Sequence, residues 1–248
     1  MNEQFTRTEL IYGRDGIEKF SRSRVAVFGI GGVGGHACEA LARSGIGHID
    51  LIDDDRVCLS NINRQIIALH STVGKYKVDA MESRLLDINP DIKITKHKVF
   101  FTPENADSFD FSEFDYVIDA IDTISGKIAL VMKADENGVN IISSMGAGNK
   151  TNPSLFEVSD IYKTSVCPLA RVMRNELRKR NIKRLKVVYS KEQPLTPKAY
   201  MTASQDTLKT DRSPKGSYVK QAPGSTAFVP SVAGLIIAGE VINDLSAM

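Results

Sequence analysis

Four glycines within six residues, Gly29-Ile30-Gly31-Gly32-Val33-Gly34, follow directly on the apolar run Val25-Ala26-Val27-Phe28. They open a stretch of helical composition from Val33 to Arg43. This order constrains the fold more than any other part of the chain, because a turn without Cβ atoms lets a buried strand pass straight into a helix that packs back on it. The same turn admits a phosphate close to the backbone, and the helix start offers free N–H donors and a positive dipole end. A nucleotide is implied, but the turn alone does not choose which one.

Further strands are expected at Ile49 to Ile52, Ile92 to Ile94, Tyr116 to Ala120 and Val139 to Ser143, with helical patterns between most of them. Alternation of this kind predicts an α/β fold: a Rossmann-like, mainly parallel sheet with helices on both faces. Gly45 ends the first helix, and residues 74–87 place Val78, Met81, Leu85 and Leu86 on one stripe before Asn89-Pro90 stops the helix. Patterning lapses from Gly146 to Pro168, which reads as a mobile crossover under the strand ends. Residues 168–180 then put Leu169, Val172, Met173 and Leu177 at helical spacing among Arg171, Arg174, Arg178, Lys179 and Arg180. Residues 191–224 read as a flexible basic loop, and 230–245 as a closing helix. The expected organisation is one domain over 1–248: an N-terminal arm (1–23), a nucleotide-binding core (24–145), and an extension (146–248) carrying the crossover, the basic helix and the loop.

A chain of 248 residues with 42% hydrophobic content can bury one large core. Its net charge of +2 singles out no partner by itself. Cys38, Cys58 and Cys167 have no CxxC spacing, which argues against a zinc knuckle or a disulfide framework and suits a reducing, cytoplasmic setting. There is no basic-then-apolar leader, and the apolar stretch near the end is broken by Gly234, Gly239 and Glu240, so no membrane insertion is expected.

Asp53 ends the second strand, where a Rossmann acid accepts hydrogen bonds from ribose hydroxyls; this fits NAD, FAD or ATP equally. Discrimination comes from Ser60-Asn61-Ile62-Asn63-Arg64-Gln65 and Lys77. A magnesium-bound triphosphate needs cations on its oxygens, and an Arg fork with a movable Lys supplies them. Asp119 and Asp122 flank the end of the fourth strand, where a carboxylate can hold magnesium bridging phosphates. The plainer alternatives are an exposed turn Arg, a solvated helix Lys and an Asp capping the helix near Ser125.

The combined pattern resembles the ubiquitin-activating-enzyme-like adenylyltransferases. It comprises Gly29-x-Gly31-Gly32-x-Gly34, Asp53-x-Asp55, Ser60-Asn61-x-x-Arg64-Gln65, Gly74-Lys75-x-Lys77, Asn89-Pro90 and Asp119-Ala120-Ile121-Asp122. Ile11-Tyr12-Gly13, Ser144-Met145-Gly146-Ala147-Gly148 and Cys167-Pro168-Leu169-Ala170-Arg171 extend the likeness, over nearly the whole chain, to the tRNA threonylcarbamoyladenosine dehydratases. The resemblance implies ATP and Mg2+, with Arg64, Lys77 and Asp122 catalytic and Asp122 holding the metal. It assigns the nucleotide to Gly29, Gly31, Gly32, Gly34, Asp53, Asp55, Ser60, Asn61 and Gln65. It also implies a homodimer in which Arg7 of the N-terminal arm reaches the neighbouring subunit's nucleotide. The zinc-binding cysteine pairs of sulfur-carrier-activating relatives are absent. Cys167 is the only late candidate for a relay thiol, and Ile67 stands where an imidazole is expected, leaving His70 without a role.

On that resemblance, the substrate is a modified adenosine beside a tRNA anticodon. Its carboxylate must be adenylated before the adjoining carbamoyl group can close a ring, because oxide is no leaving group. Arg171 to Lys186 holds eight Lys or Arg against one acid, Glu176, and Arg171, Arg174, Arg178, Lys179, Arg180, Lys183 and Arg184 are the expected RNA-binding residues. A sulfur-relay protein is a further possible partner. The rivals are an adenylyltransferase for the C-terminal glycine of a ubiquitin-like sulfur carrier, an NAD-dependent oxidoreductase, and a catalytically silent RNA-binding relative.

Overall fold

The computed structural model describes residues 3–197 and 223–247, so most of the basic loop expected over 191–224 lies outside the described residues. Seven strands form one sheet: β1 (Arg24–Phe28), β2 (His48–Ile52), β3 (Lys93–His97), β4 (Tyr116–Asp119), β5 (Asn140–Ser144), β6 (Phe156–Asp160) and β7 (Lys186–Ser190). Their order is β3-β2-β1-β4-β5-β7-β6, parallel throughout except for β6, which runs antiparallel to β7. Strand order reverses between β1 and β4, so a crevice opens at their carboxyl ends, where such sheets take ligands.

Alternate residues of β1 serve two cores. Val25 and Val27 join one cluster with Ala37, Cys38 and Leu41 of α2 (Gly34–Arg43), Val78, Met81 and Leu85 of α3 (Lys77–Ile88), and Val241 and Leu245 of α6 (Phe228–Ala247). Ala26 and Phe28 join the other, with Phe101, Phe109, Phe111 and Phe114 and with Leu130 of α4 (Ile124–Asn137). A strand covered on both faces tends towards an unbroken apolar run, as in Val25 to Phe28 of β1 and Tyr116 to Ile118 of β4; β2 is interrupted by Asp50, whose buried carboxylate pairs with Arg24. A third cluster joins Met173 and Leu177 of α5 (Pro168–Lys179) to Val187 and Tyr189 of β7.

Two strands depart from the sequence expectation. The supposed crossover contains β6, and β7 follows the basic run. The N-terminal arm is mostly helix α1 (Thr6–Arg22), broken at Gly13, whose φ is 71°. Only Gly16 and Phe20 of α1 are buried, so its apolar stripe is too thin to stand out. By length and composition α6 could cross a membrane, but half of that stretch is buried, and it packs against α2 and α1 as a core helix.

Candidate functional site

The glycine turn is held by contacts that leave no room for a side chain at Gly29 or Gly34. Gly29 has φ 91°, and a Cβ there would lie 2.7 Å from the Ala120 carbonyl oxygen at the end of β4. At Gly34 a Cβ would fall 1.9 Å from the Gly29 oxygen, whereas one at Gly31 would meet nothing within 4 Å. The turn is therefore closed towards the sheet and open at Gly31, the side from which a phosphate can approach.

Asp53 braces this turn. Its carboxylate accepts from Ile30 N at 2.7 Å and from Asp55 N at 2.8 Å. Burial pushes its carboxyl above the usual aspartate range, although Lys77 and those two N–H groups pull the other way. Lys77, at the first position of α3, is buried and donates to Asp55 Oδ2 at 2.8 Å, with Asp53 Oδ2 at 3.7 Å. Asp53, Asp54 and Asp55 lie within 4.8 Å of one another, but Asp53 is committed to the turn and Asp55 to Lys77.

Arg64 behaves differently. Its carbonyl oxygen would sit 3.3 Å from a Cβ on Gly32, so its backbone abuts the turn. Its Nη1 donates to Ser60 O and Asn63 Oδ1, both at 2.9 Å, and among the described residues no carboxylate pairs with it. Burial lowers its pKa. A half-buried guanidinium without a counter-charge is poised for an anion. Asn61 uses Oδ1 to accept from Cys58 N at 3.1 Å, fixing the short turn Leu59–Asn61 that carries Ser60. Next to Arg64, Gln65 is buried, and its Oε1 has no hydrogen-bond partner among the described residues.

At the end of β4, Asp119 is fully buried. It takes Lys127 Nζ at 3.0 Å and the Ser143 hydroxyl, while Lys127 also donates to Ser144 O at 2.8 Å. Asp119 is thus unavailable to a metal, and the exposed Asp122 has no ion-pair partner among the described residues. Asp122 does not cap α4, whose N-cap is Thr123. Lys127 and Ser143 escaped the sequence reading; a polar residue within Ile124 to Val131 reads as a solvated position unless its partner is known.

Of the basic residues, Arg174 turns inward onto the Thr164 hydroxyl and carbonyl. Lys179 and Arg180 pair with Glu176, and Arg178 lies over the Tyr162 ring at 5.3 Å. Arg171, Lys183 and Arg184 are exposed and have no carboxylate partner among the described residues. Cys167 is 2% exposed within the third cluster, a packing position. Arg7 lies exposed on α1. Two hollows of about 690 and 500 Å³ sit at the opposite, amino edge of the sheet, lined by paired groups such as Arg24–Glu113 and Lys186–Asp244.

An open sheet with a bare glycine turn at its switch point, a ribose-type acid and an unmatched guanidinium defines a nucleotide-binding α/β protein of the kind that handles polyphosphates. The chain belongs to the ThiF family, whose model matches residues 2–248. A tRNA threonylcarbamoyladenosine dehydratase of Bacillus subtilis is 47% identical over 99% of this chain and 95% of its own length. The crystal structure of the Escherichia coli tRNA N6-threonylcarbamoyladenosine dehydratase in complex with ATP superposes with a TM-score of 0.86. It shares 32% identity and covers 99% of this chain and 94% of that one. The adenylyltransferase and sulfurtransferase uba4 of Ogataea parapolymorpha is 33% identical over only 63% of this chain and 39% of its own length.

Proposed function

We propose that this chain uses ATP to dehydrate threonylcarbamoyladenosine beside the tRNA anticodon, closing a ring after its carboxylate is adenylated. The observation that carries this reading is the near end-to-end match to the B. subtilis dehydratase, supported by an unmatched Arg64 at the glycine turn. Nothing in a dinucleotide-dependent oxidoreductase calls for Arg64, Lys77 and Asp122 together. The sulfur-carrier alternative rests on a likeness to a much shorter stretch.

In this reading the carboxylate attacks the α-phosphorus, pyrophosphate leaves, a carbamoyl nitrogen or oxygen attacks the acyl carbon, and AMP departs. The net loss is one water. Arg64 and Lys77 stabilise the charge that builds on the transferring group, and they do so in a partly dehydrated setting where each is worth more than in water. Lys77 exchanges some of its attraction for Asp55 to do this, and Asp53 takes the ribose hydroxyls. Asp122 would hold Mg2+, since one carboxylate completed by phosphates and water is this ion's usual site, and the ion would neutralise phosphate charge.

Arg171, Lys183 and Arg184 would contact RNA phosphates. The exposed Leu10 and Ile11 on α1, 84% and 78% accessible, support a homodimer that brings Arg7 to the neighbouring nucleotide; sedimentation as a monomer at micromolar concentration would remove that part. Free cysteines fit the cytoplasm, and the whole chain would act as one adenylyltransferase-like domain. The test is to incubate the protein with ATP, magnesium and tRNA bearing threonylcarbamoyladenosine and weigh the released nucleosides. A product lighter by one water is expected, and an unchanged mass rejects the reading.

A further inference from the structure

Three lysines are buried among the described residues: Lys77, Lys127 and Lys150, at 6%, 1% and 3% exposure. The first two meet carboxylates, Lys77 at Asp55 and Lys127 at Asp119. Lys150 has no hydrogen-bond or ion-pair partner among the described residues. The charge it acts on is Glu192, whose carboxylate is already engaged by Thr151 N and Asn152 N at 2.9 Å each. The stem of Lys150 is buried while its ammonium donates to no protein group among the described residues, so the charge is held in one place with its donors left for a ligand.

Lys150 is also held in place. The preceding Asn149 adopts φ 57° and is clamped on both sides: its N donates to Gly224 O at 2.8 Å, its Oδ1 accepts from Gly224 N at 2.6 Å, and its carbonyl accepts from Leu195 N at 2.7 Å. One residue further along that strap, Ser225 O accepts from Asn63 Nδ2 at 3.1 Å, and Asn63 Oδ1 accepts from Arg64. Lys150 therefore follows the carboxyl end of β5, on the ligand-binding edge of the sheet, and is tied through this strap to the Arg64 loop.

We propose that Lys150 is an oxyanion-binding residue of the acceptor site, and that it receives an acidic group of the modified RNA. The shared chemistry is a carboxylate or phosphate oxygen: the threonyl carboxylate awaiting adenylation, or a backbone phosphate beside the modified nucleotide. This inference rests on the functional reading above and adds to it the group that recognises the acceptor.

The test compares the wild-type chain with Lys150→Met and Lys150→Gln by calorimetry, using free threonylcarbamoyladenosine, its methyl ester, an unmodified anticodon stem-loop RNA and ATP. Lys150→Met should melt close to wild type, because the apolar stem is kept and no hydrogen bond to the described residues is lost. If the carboxylate is the ligand, Lys150→Met weakens binding of the nucleoside acid about tenfold or more, leaves its ester alone, and Lys150→Gln falls between. If a phosphate is the ligand, the stem-loop RNA loses affinity and its salt slope becomes shallower by about one unit, with the free nucleoside unaffected. Unchanged binding of both probes, or a change confined to ATP, overturns the inference while the functional reading stands. A wild-type chain that binds neither the nucleoside nor the RNA overturns the reading and the inference together.

Discussion

The half of the molecule that carries the nucleotide turn, at the carboxyl ends of β1, β2 and β4, and the half around β5, β6 and β7 treat charge differently. In the first half most ionic groups are matched internally: Lys77 with Asp55, Asp119 with Lys127, and Asp53 with the N–H groups of Ile30 and Asp55. Arg64 and the exposed Asp122 are the exceptions among the described residues. In the second half Lys179, Arg180 and Lys186 are paired, but Lys150, Arg171, Lys183 and Arg184 have no ion-pair partner among the described residues. A compact polyanion suits a pocket whose geometry is fixed in advance and left short of one negative charge. An extended polyanion suits scattered cations that share no single geometry.

The sharpest way to break this contrast is Arg64→Ala. With no counter-charge stranded by its loss, the variant should melt close to wild type while adenylation falls about 10³-fold. Equal losses of stability and activity, read by calorimetry and pyrophosphate release, would show that Arg64 belongs to the matched set after all. Lys77→Met should do both kinds of damage, because it abandons Asp55 and the buried Asp53. Activity should fall about 10²-fold. Stability should fall by about 1–3 kcal/mol, since Asp55 is partly in water, or about 3–8 °C in melting temperature.

Replacing Arg171, Lys183 and Arg184 together with Gln should weaken tRNA binding tens-fold at moderate salt and make its salt slope shallower by about 2–3 units. ATP affinity should not move; if it does, the two halves are not separable. The smallest effect is the pH response of Asp53. Its folded pKa lies above the unfolded value, so its proton favours the folded state at low pH, and that favour is lost as pH rises through the folded pKa. Ribose hydroxyls need the ionised form, so ATP affinity should decline on acidification while the pH is still above the ordinary aspartate range. Asp53→Asn should flatten that part of the profile, and an unaltered profile would show that another group titrates there.

The first half was also the more legible. A strand buried on both faces is mostly apolar, so β1 and β4 stand out and β2 shows through Ile49, Leu51 and Ile52 around Asp50, and the glycine turn announces itself through contacts that only glycine permits. β6 is an antiparallel edge whose Val158 is 36% exposed, and Phe-Glu-Val-Ser-Asp carries no core signature. β7 begins with Lys186 at the end of a basic run that hides it. The same limit applied to the site. Arg64 and Lys77 sit in a recognisable local pattern, whereas Lys127 matters through Asp119 and Ser143 on neighbouring strands. Lys150 is notable only because its ammonium donates to no protein group among the described residues, which a sequence does not display.

Gly234 of α6 has no room for a Cβ, which would lie 2.3 Å from Val33 O, and Pro230 touches the space beside Gly32. The phosphate turn, made early in the chain, is therefore buttressed by a helix translated after every strand. On the ribosome the turn would then stay unfinished until that helix emerges, and nucleotide capture would follow synthesis of the whole sheet. Nascent chains stalled before Phe228 should fail to retain ATP, and retention by them would show that the buttress is dispensable.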